Sequence, residues 1–422
     1  MTSAPRPSRS FRLVCEENRQ SEVEDLLEAE GYRFEPEPFS RWCKKLVREP
    51  APLGSSLAAF FGYIYIQDRS SMLPPLALSP SPGSGILDMC ASPGGKTGFL
   101  GQLSGAAGFV LGNEPNQSRL ATLRANIAIS NLLQVSTCAY PGEKLPLIPA
   151  SWNYILLDPP CSGWGTEEKN PSVRRLWQGK KIDRLTAIQR ALLKKASELL
   201  APGGRLLYST CTVNPAENEE QIAWAESSLG LIQGALAPFP GFAFAPTRAG
   251  CLLVDGKESA AQGFFLSLLL KPDGEKPARR EEYFAASPLP AKAIESPVVD
   301  PSPLAKGKTA IFGQKVYYLP GPAFDILPRK FQWKGFALGK FRRTGTSEVF
   351  LPGNRLRRLA NSRGPKAVFD TVGEIRDFLA GKAIPAKGDE VSLFWRDLPL
   401  GFAAIKNGRL IASFRQALSA LK

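Results

Sequence analysis

From Gly85 onward, short apolar runs alternate with polar stretches of helical period. The runs are GILDMC, GFVLGNE, QVSTCAY, YILLDPP, GRLLYSTC and GFFLSLLLK, and the helical patterns cover Arg119–Ser130, Asp183–Leu200 and Pro215–Ser227. Runs that are apolar on both faces predict strands buried from both sides. Their alternation with helices predicts an α/β unit with a parallel sheet, closed by an antiparallel hairpin strand. Residues 1–80 read as a small α+β leader, with a helical SEVEDLLEAEGY, an extended FFGYIYIQ and Pro-rich turns. Residues 272–303 are rich in Pro, Ala and charge without a sustained apolar period and read as an exposed linker. Residues 304–422 carry IFGQKVYYLP, SEVFLP, EVSLFW and GFAAIK between turns, with one helix at VGEIRDFLAG, and predict a barrel-like, β-rich unit. The expected division is therefore 1–80, an α/β unit of 81–271, a linker of 272–303 and a β-rich unit of 304–422.

Charge separates these units. The chain of 422 residues has 53 Lys and Arg against 39 Asp and Glu, and residues 301–422 alone hold 22 basic and 8 acidic side chains. The whole surplus sits in the last third, as expected when one module meets a polyanion and another does chemistry in a pocket. Residues 329–363 contain Arg329, Lys330, Lys334, Lys340, Arg342, Arg343, Arg355, Arg357, Arg358 and Arg363 against the single acid Glu348, with Phe331, Trp333, Phe336, Phe341 and Phe350 between them. The charges are expected to meet the phosphates of a polyanion; rings in a β-rich unit are more often core. Without a histidine, imidazole catalysis and Cys/His zinc sites are excluded, and the seven scattered cysteines are expected to be reduced thiols with no metal bound. No apolar run approaches the roughly 18 residues of a membrane span, and MTSAPRPSRSF lacks a signal-peptide core, so a cytoplasmic protein without membrane contact is expected.

Candidate chemistry collects at the ends of the predicted strands. Cys90, Ala91, Ser92, Pro93, Gly94, Gly95 and Lys96 form a Gly-rich turn between a strand and a helix, where the backbone can approach a ligand and free N–H groups favour an anion. The spacing fails the phosphate-binding GxxxxGK[ST] pattern, since Cys90 stands where its first glycine would be. Glu114 ends the next strand and can take both hydroxyls of a ribose. Turn and acid together fit an adenosine cofactor, either a dinucleotide or S-adenosylmethionine. Asp158-Pro159-Pro160-Cys161 follows YILL, and Ser209-Thr210-Cys211-Thr212 ends another apolar run. A lone thiol is more often a small buried hydrophobe, but two at strand ends can face one pocket. Methylation of cytosine at carbon 5 wants such an arrangement: a thiolate adds at carbon 6, carbon 5 becomes nucleophilic, and a carboxyl such as that of Asp158 offsets charge at ring N3.

CASPGGKT, DPPCSG and STCTVNPAENE, with GYIYIQDRSSMLP upstream, resemble the RNA cytosine-5 methyltransferases of the Fmu/Sun group. PLGSS…IYIQDRSSMLPPLAL and the basic C-terminal extension most resemble the branch of bacterial 16S ribosomal RNA cytosine-5 methyltransferase F. The likeness is strong over about residues 50–271 and weak beyond. It implies a class I Rossmann-like methyltransferase using S-adenosylmethionine, a PUA-like C-terminal unit, and 16S ribosomal RNA or the small ribosomal subunit as partner; apart from the resemblance, a monomer is the default expectation. It also implies Cys211 as nucleophile, Cys161 as the thiol assisting release, and Asp158 between cofactor and base. Cys90 to Lys96 and Glu114 would hold the cofactor, Lys96 also serving catalysis. The loop Gly165–Trp177, with Lys180 and Lys181, is expected beside the pocket as an RNA contact. The chain departs from the family in placing Tyr140 where an Asp usually lies near the adenine, and in lacking the N-terminal R-V-N-T-L-K stretch, its nearest text being Arg12-Leu13-Val14-Cys15. A transfer RNA target and a catalytically idle RNA-binding assembly factor are the competing functions.

Overall fold

The computed structural model describes residues 9–168, 170–275, 294, 296–344 and 347–411, the side chains of 343–348 excepted. A four-stranded antiparallel sheet comes first, formed by β1 (Ser10–Leu13), β2 (Arg33–Glu37), β3 (Ser40–Arg48) and β4 (Ile64–Ile66) in the order β2-β3-β1-β4. Helices α1 (Gln20–Ala29) and α2 (Leu57–Phe60) accompany it. The stretch FFGYIYIQ, expected to be extended throughout, is only half so. Ser56 caps α2 by accepting the Ala59 N–H, which draws Phe60 into the helix, and Gly62 at φ +74° ends the turn. A Cβ at Gly62 would lie 1.9 Å from the Ile129 carbonyl oxygen, so no other residue fits this approach.

After α3 (Leu73–Leu78), the central sheet is built from β5 (Gly85–Asp88), α4 (Gly95–Ser104), β6 (Phe109–Asn113), α5 (Gln117–Ser130), β7 (Val135–Cys138) and β8 (Trp152–Leu157). It continues through α6 (Val173–Leu176), α7 (Lys180–Leu199), β9 (Leu200–Thr210) and α8 (Glu219–Leu229). The remaining strands are β10 (Ile232–Gly234), β11 (Phe244–Ala245), β12 (Leu252–Val254) and β13 (Phe264–Leu270). The order is β11-β12-β13-β9-β8-β5-β6-β7, with β10 paired to β13. Strands β7, β6, β5, β8 and β9 are parallel, and β13 runs antiparallel to β9, as the sequence pattern predicts. The chain moves outward from β5 to β7 and then returns to β8 on the other side of β5. The topological switch point therefore lies between β5 and β8, and a crevice opens outside their carboxyl ends.

The basic region forms two sheets rather than one barrel. β14 (Gly307–Phe312), β15 (Lys315–Pro320), β16 (Phe336–Thr344) and β17 (Ser347–Pro352) make an antiparallel meander, with α9 (Ala323–Ile326) after β15. β18 (Lys366–Phe369), α10 (Val372–Leu379), β19 (Glu390–Trp395), β20 (Leu398–Lys406) and β21 (Arg409–Ile411) make the other. This last sheet shares its core with the N-terminal one: Phe11, Leu13, Phe61 and Tyr63 pack in one cluster with Phe369, Phe378, Leu393 and Trp395. The meander instead docks on the edge of the central sheet, where Thr137 of β7 and Lys334 exchange two backbone hydrogen bonds of 2.9 and 2.8 Å. Most of the expected linker lies outside the described residues, but Ile294, Val298 and Val299 are buried, and Val299 pairs with Ala360. The exposure expected for this stretch thus fails at its C-terminal end, where isolated apolar residues too few to show a period find a core. Among the described residues, no helix is long and apolar enough to cross a membrane.

Candidate active site

The loops after β5, β8 and β9 converge at the switch point. After β5, the turn Met89–Gly94 leads into α4, with Gly94 at φ +111°. Asp88 anchors this turn from below, its carboxylate accepting the Thr97 hydroxyl at 2.7 Å and the Cys90 N–H at 3.3 Å. Burial pushes the Asp88 carboxyl up to about 6. The first-turn N–H groups of α4, which a helix leaves without internal partners, follow directly on this turn. Glu114, immediately after β6, is 3% exposed; its carboxylate accepts the Asn116 N–H at 2.9 Å and lies 3.4 Å from the Arg119 guanidinium. Hydrogen-bond donors at a helix start beside a carboxylate on the next strand end form a donor set that suits S-adenosylmethionine, whose amino-acid carboxylate needs the first and whose ribose needs the second.

After β8 and β9 lie the thiols. Cys161 Sγ and Cys211 Sγ are 3.2 Å apart, both free and half-buried. Asp158 stands beside them, accepting Lys96 Nζ at 2.7 Å on one oxygen and the Ser209 hydroxyl at 2.8 Å on the other. Burial works to lower the Lys96 ammonium, but the Asp158 charge outweighs it and holds the group above its ordinary value, so Lys96 stays protonated. The three cysteines of the crevice then differ in kind. The hydrogen bond from the Cys161 thiol lowers Cys211, against the opposing effect of burial and with support from Lys96. Cys161 is raised by the same hydrogen bond and by burial, and Cys90 is raised by burial. Of the three, Cys211 is therefore the thiol that ionises most readily.

Several residues that the sequence reading did not single out hold this arrangement. Glu217, fully buried, accepts the Ser162 N–H at 2.9 Å and the Ser162 hydroxyl at 2.5 Å. It also accepts Gln189 Nε2 at 3.0 Å and Asn214 Nδ2 at 2.9 Å. Ser162 also meets the Thr212 hydroxyl at 2.8 Å, so one carboxylate ties the Cys161 loop to the Cys211 loop and to α7. Its signal was the quoted NPAENE text, in which an acid three residues after the turn-capping Asn214 lies at a helix start. Gly165 donates its N–H to the Cys211 carbonyl at 3.0 Å and accepts the Gly263 N–H at 2.9 Å, which brings the loop after Cys161 against the pocket as expected. Lys169 lies outside the described residues.

One expectation for the basic segment is corrected. Arg357 is 3% exposed and donates to the carbonyls of Val14, Gly62, Ile129 and Ser130, with its guanidinium 4.1 Å from the Tyr63 ring centre. Arg355 donates to the Phe60 carbonyl at 2.9 Å, and Arg358 pairs with Glu16 at 2.6 Å. These three join the N-terminal sheet, α5 and the C-terminal region; they are internal fasteners, because carbonyls at loop ends are left needing donors. Arg329, Lys330, Lys334, Lys340, Arg342 and Arg363 are exposed, and the side chain of Arg343 lies outside the described residues. The Tyr140 ring stacks on Phe331 and its hydroxyl accepts the Gln332 N–H at 3.0 Å.

A family model described as 16S rRNA methyltransferase RsmB/F matches residues 75–232. The chain is 30% identical over 414 residues to ribosomal RNA small subunit methyltransferase F of Cronobacter sakazakii, covering 92% of this chain and 85% of that one. It is 32% identical to the protein of the same name from Aeromonas salmonicida, over 91% and 84% of the two chains. The match to that of Shewanella loihica is 33% identical and spans 64% of this chain and 59% of the relative. Among solved structures, a methyltransferase homolog protein from Pyrococcus horikoshii is 32% identical with a TM-score of 0.54, over 63% of this chain and 86% of that one. NSun6 from Pyrococcus horikoshii, solved with SFG, shares the fold at 21% identity and a TM-score of 0.57, over 64% and 91% of the chains. With a Rossmann-type sheet, a donor set for S-adenosylmethionine at its switch point and relatives aligned over nine-tenths of its length, this chain belongs to the RsmB/F family of 16S rRNA methyltransferases and is an S-adenosylmethionine-dependent enzyme.

Proposed function

We propose that the enzyme methylates cytosine at carbon 5 in 16S ribosomal RNA, through a covalent bond between Cys211 and carbon 6 of the base. The observation that carries this reading is the pair of thiols 3.2 Å apart beside the Lys96–Asp158 pair, Cys211 being the one of the two that ionises more readily. The Cys90–Lys96 turn, Glu114 and the Asp158 side of the crevice would hold S-adenosylmethionine, which would supply the methyl group.

Cys211 adds to carbon 6 as the thiolate, the carbon 5–carbon 6 π pair moves between carbon 4 and carbon 5, and the carbon 4–N3 π pair moves onto N3, which takes a proton from the Lys96–Asp158 pair and returns it once carbon 5 is methylated. Asp158, backed by the Lys96 ammonium, offsets charge on that side of the ring. Carbon 5 then carries a nucleophilic pair and receives the methyl group. Loss of the carbon 5 proton restores the carbon 5–carbon 6 double bond, and the carbon 6–sulfur bond breaks with its pair returning to Cys211. The Cys161 thiol, in hydrogen-bond contact with that sulfur, stabilises the departing thiolate and so assists release.

The catalytic unit is residues 81–271. The leader of 1–80 and the basic unit of 304–422, joined to it through 272–303, bind RNA together; the core that the leader shares with the last sheet of that unit supports treating these two parts as one surface. The names of the full-length relatives support the ribosomal substrate. Bisulfite sequencing of ribosomal and transfer RNA from cells with and without the gene tests the reading. One cytosine losing protection in 16S RNA is expected; a loss confined to transfer RNA moves the substrate, and no loss anywhere defeats the reaction.

A further inference from the structure

Beyond the thiol pair, α6 and the start of α7 enclose an open groove of about 510 Å³ lined by Leu176, Trp177, Lys181, Arg184, Leu185 and Ile188. Its walls are apolar yet exposed, Leu176 at 51% and Ile188 at 46%. Exposed apolar surface of this kind, when rimmed by charge, marks a binding site more often than idle surface. The rim is cationic: Lys181 and Arg184 lie in the lining, and Arg175 and Lys180 are exposed beside it. Lys181 Nζ donates to the Leu176 carbonyl at 2.9 Å, which fixes the ammonium at the edge. Arg174 is committed elsewhere, over the Trp164 ring and paired with Glu167.

Two connections place the groove next to the reacting sulfur. On one side, Val173 Cγ2 lies 3.5 Å, and Cys211 Sγ 3.9 Å, from the point a Cβ on Gly163 would occupy, while the Trp177 N–H bonds the Val173 carbonyl. On the other, Gln189 Nε2 donates to the Pro160 carbonyl at 3.0 Å, next to Cys161. Leu185 lies one turn before Gln189 on the same helix, about 6 Å along its axis. Stacked nucleotides rise about 3.4 Å each along a strand, so the step from Gln189, beside the Cys161 loop, to Leu185 in the groove corresponds to about one or two nucleotides along a strand passing the thiol pair.

We infer that this groove binds an unpaired base of the RNA strand one or two positions from the target cytosine, its ring on Trp177 and between Leu176 and Ile188, its phosphate at Lys181 and Arg184. The inference rests on the RNA reading above and names a subsite within it. A nucleotide joins a flat apolar face and a negative charge in one unit, which is what the apolar walls and cationic rim match. An apolar peptide would satisfy the walls and leave the cations unmatched.

The test is fluorescence anisotropy with the full-length protein and a labelled single-stranded RNA of about twelve nucleotides. Its central cytidine sits in a uridine run, and companion strands carry one abasic residue at each flanking position. In the wild type, the abasic residue at one flanking position is expected to weaken binding roughly five- to a hundredfold, the effect of losing one stacked base. Trp177→Ala is expected to weaken the intact strand by a similar factor and to be insensitive to that abasic residue. Ile188→Glu, on the exposed side of α7, repeats the experiment if the tryptophan variant fails to fold. Wild-type affinity in both variants, or an undiminished abasic penalty in them, would overturn the subsite. Binding is read without methyl transfer, so coupling seen without 5-methylcytidine would leave the groove standing and defeat the reaction, and methylation without coupling would do the reverse.

Discussion

Tyr140 stacks on Phe331, with ring centres 5.0 Å apart and planes 19° from parallel. One residue stands just beyond β7 and the other between α9 and β16, so the pair fastens the C-terminal meander to the edge of the central sheet. The adjacent exchange between Thr137 and Lys334 and the edge-on contact of Trp333 with Phe109 reinforce the same junction. Phe331→Ala, at a site 7% exposed, is expected to cost about 3 kcal/mol. Tyr140→Phe keeps the stack and loses about 1 kcal/mol for its hydrogen bond. A double-mutant cycle of Tyr140→Ala and Phe331→Ala in denaturant titrations should give a coupling of about 0.5–1.5 kcal/mol; additive effects would show that the stack does not join the two sheets.

Glu217 is the point where the two cysteine loops are tied together. Glu217→Gln keeps the shape but replaces an acceptor oxygen by a donor facing the Ser162 N–H or hydroxyl, the Gln189 amide or the Asn214 amide. The Cys161 turn should relax away from Cys211 and turnover should fall at least about tenfold, while RNA affinity changes little. If Glu217 served stability alone, folded Glu217→Gln would turn over as the wild type does, and only its melting temperature would fall.

The hydrogen bond from Cys161 gives a pH signature. Because that bond lowers the Cys211 thiol, its loss in Cys161→Ala returns Cys211 toward the ordinary value. The profile of Cys211 alkylation by iodoacetamide should then move to higher pH, with slower reaction at neutral pH. A profile unmoved, or moved to lower pH, would mean that Cys161 does not stabilise the thiolate.

How much of this was legible beforehand depends on the range of the interactions. Strands β5, β8 and β9 and the chemistry at their ends could be read because an apolar run ending in Gly, Pro or a polar turn is a local pattern, and because the motifs around Cys90, Asp158, Cys161 and Cys211 lie within it. Arg357 could not. In a run of cations it resembles solvent-facing charge, and the carbonyls it serves, at Val14, Gly62 and Ile129, come from segments more than two hundred residues away. The split of the basic region into two sheets was hidden likewise: each sheet is completed by packing on a different partner, the central sheet edge or the N-terminal sheet, and neither partner is marked in the local sequence.

The division of the basic residues is itself testable. Arg357→Met should destabilise the protein by about 3 kcal/mol or more in denaturant titrations, by leaving buried carbonyls without donors. Reversing Arg329, Lys330 and Arg363 to Glu should change stability within about 0.5 kcal/mol each while weakening RNA binding and flattening its salt dependence, by about 0.7–0.9 in slope per lost phosphate contact. Unchanged affinity in the triple variant would remove this surface from RNA binding.

The central claim is that Cys211 bonds to carbon 6 of the target cytosine. RNA carrying 5-fluorocytidine at the target position tests it most directly, since fluorine at carbon 5 cannot leave as a proton does and the bonded state should persist. After incubation with S-adenosylmethionine, mass spectrometry of the digested complex should find the nucleotide on the peptide containing Cys211. The same adduct should form with Cys161→Ala and be absent with Cys211→Ala. An adduct on the Cys161 peptide, or one that survives Cys211→Ala, would contradict the account.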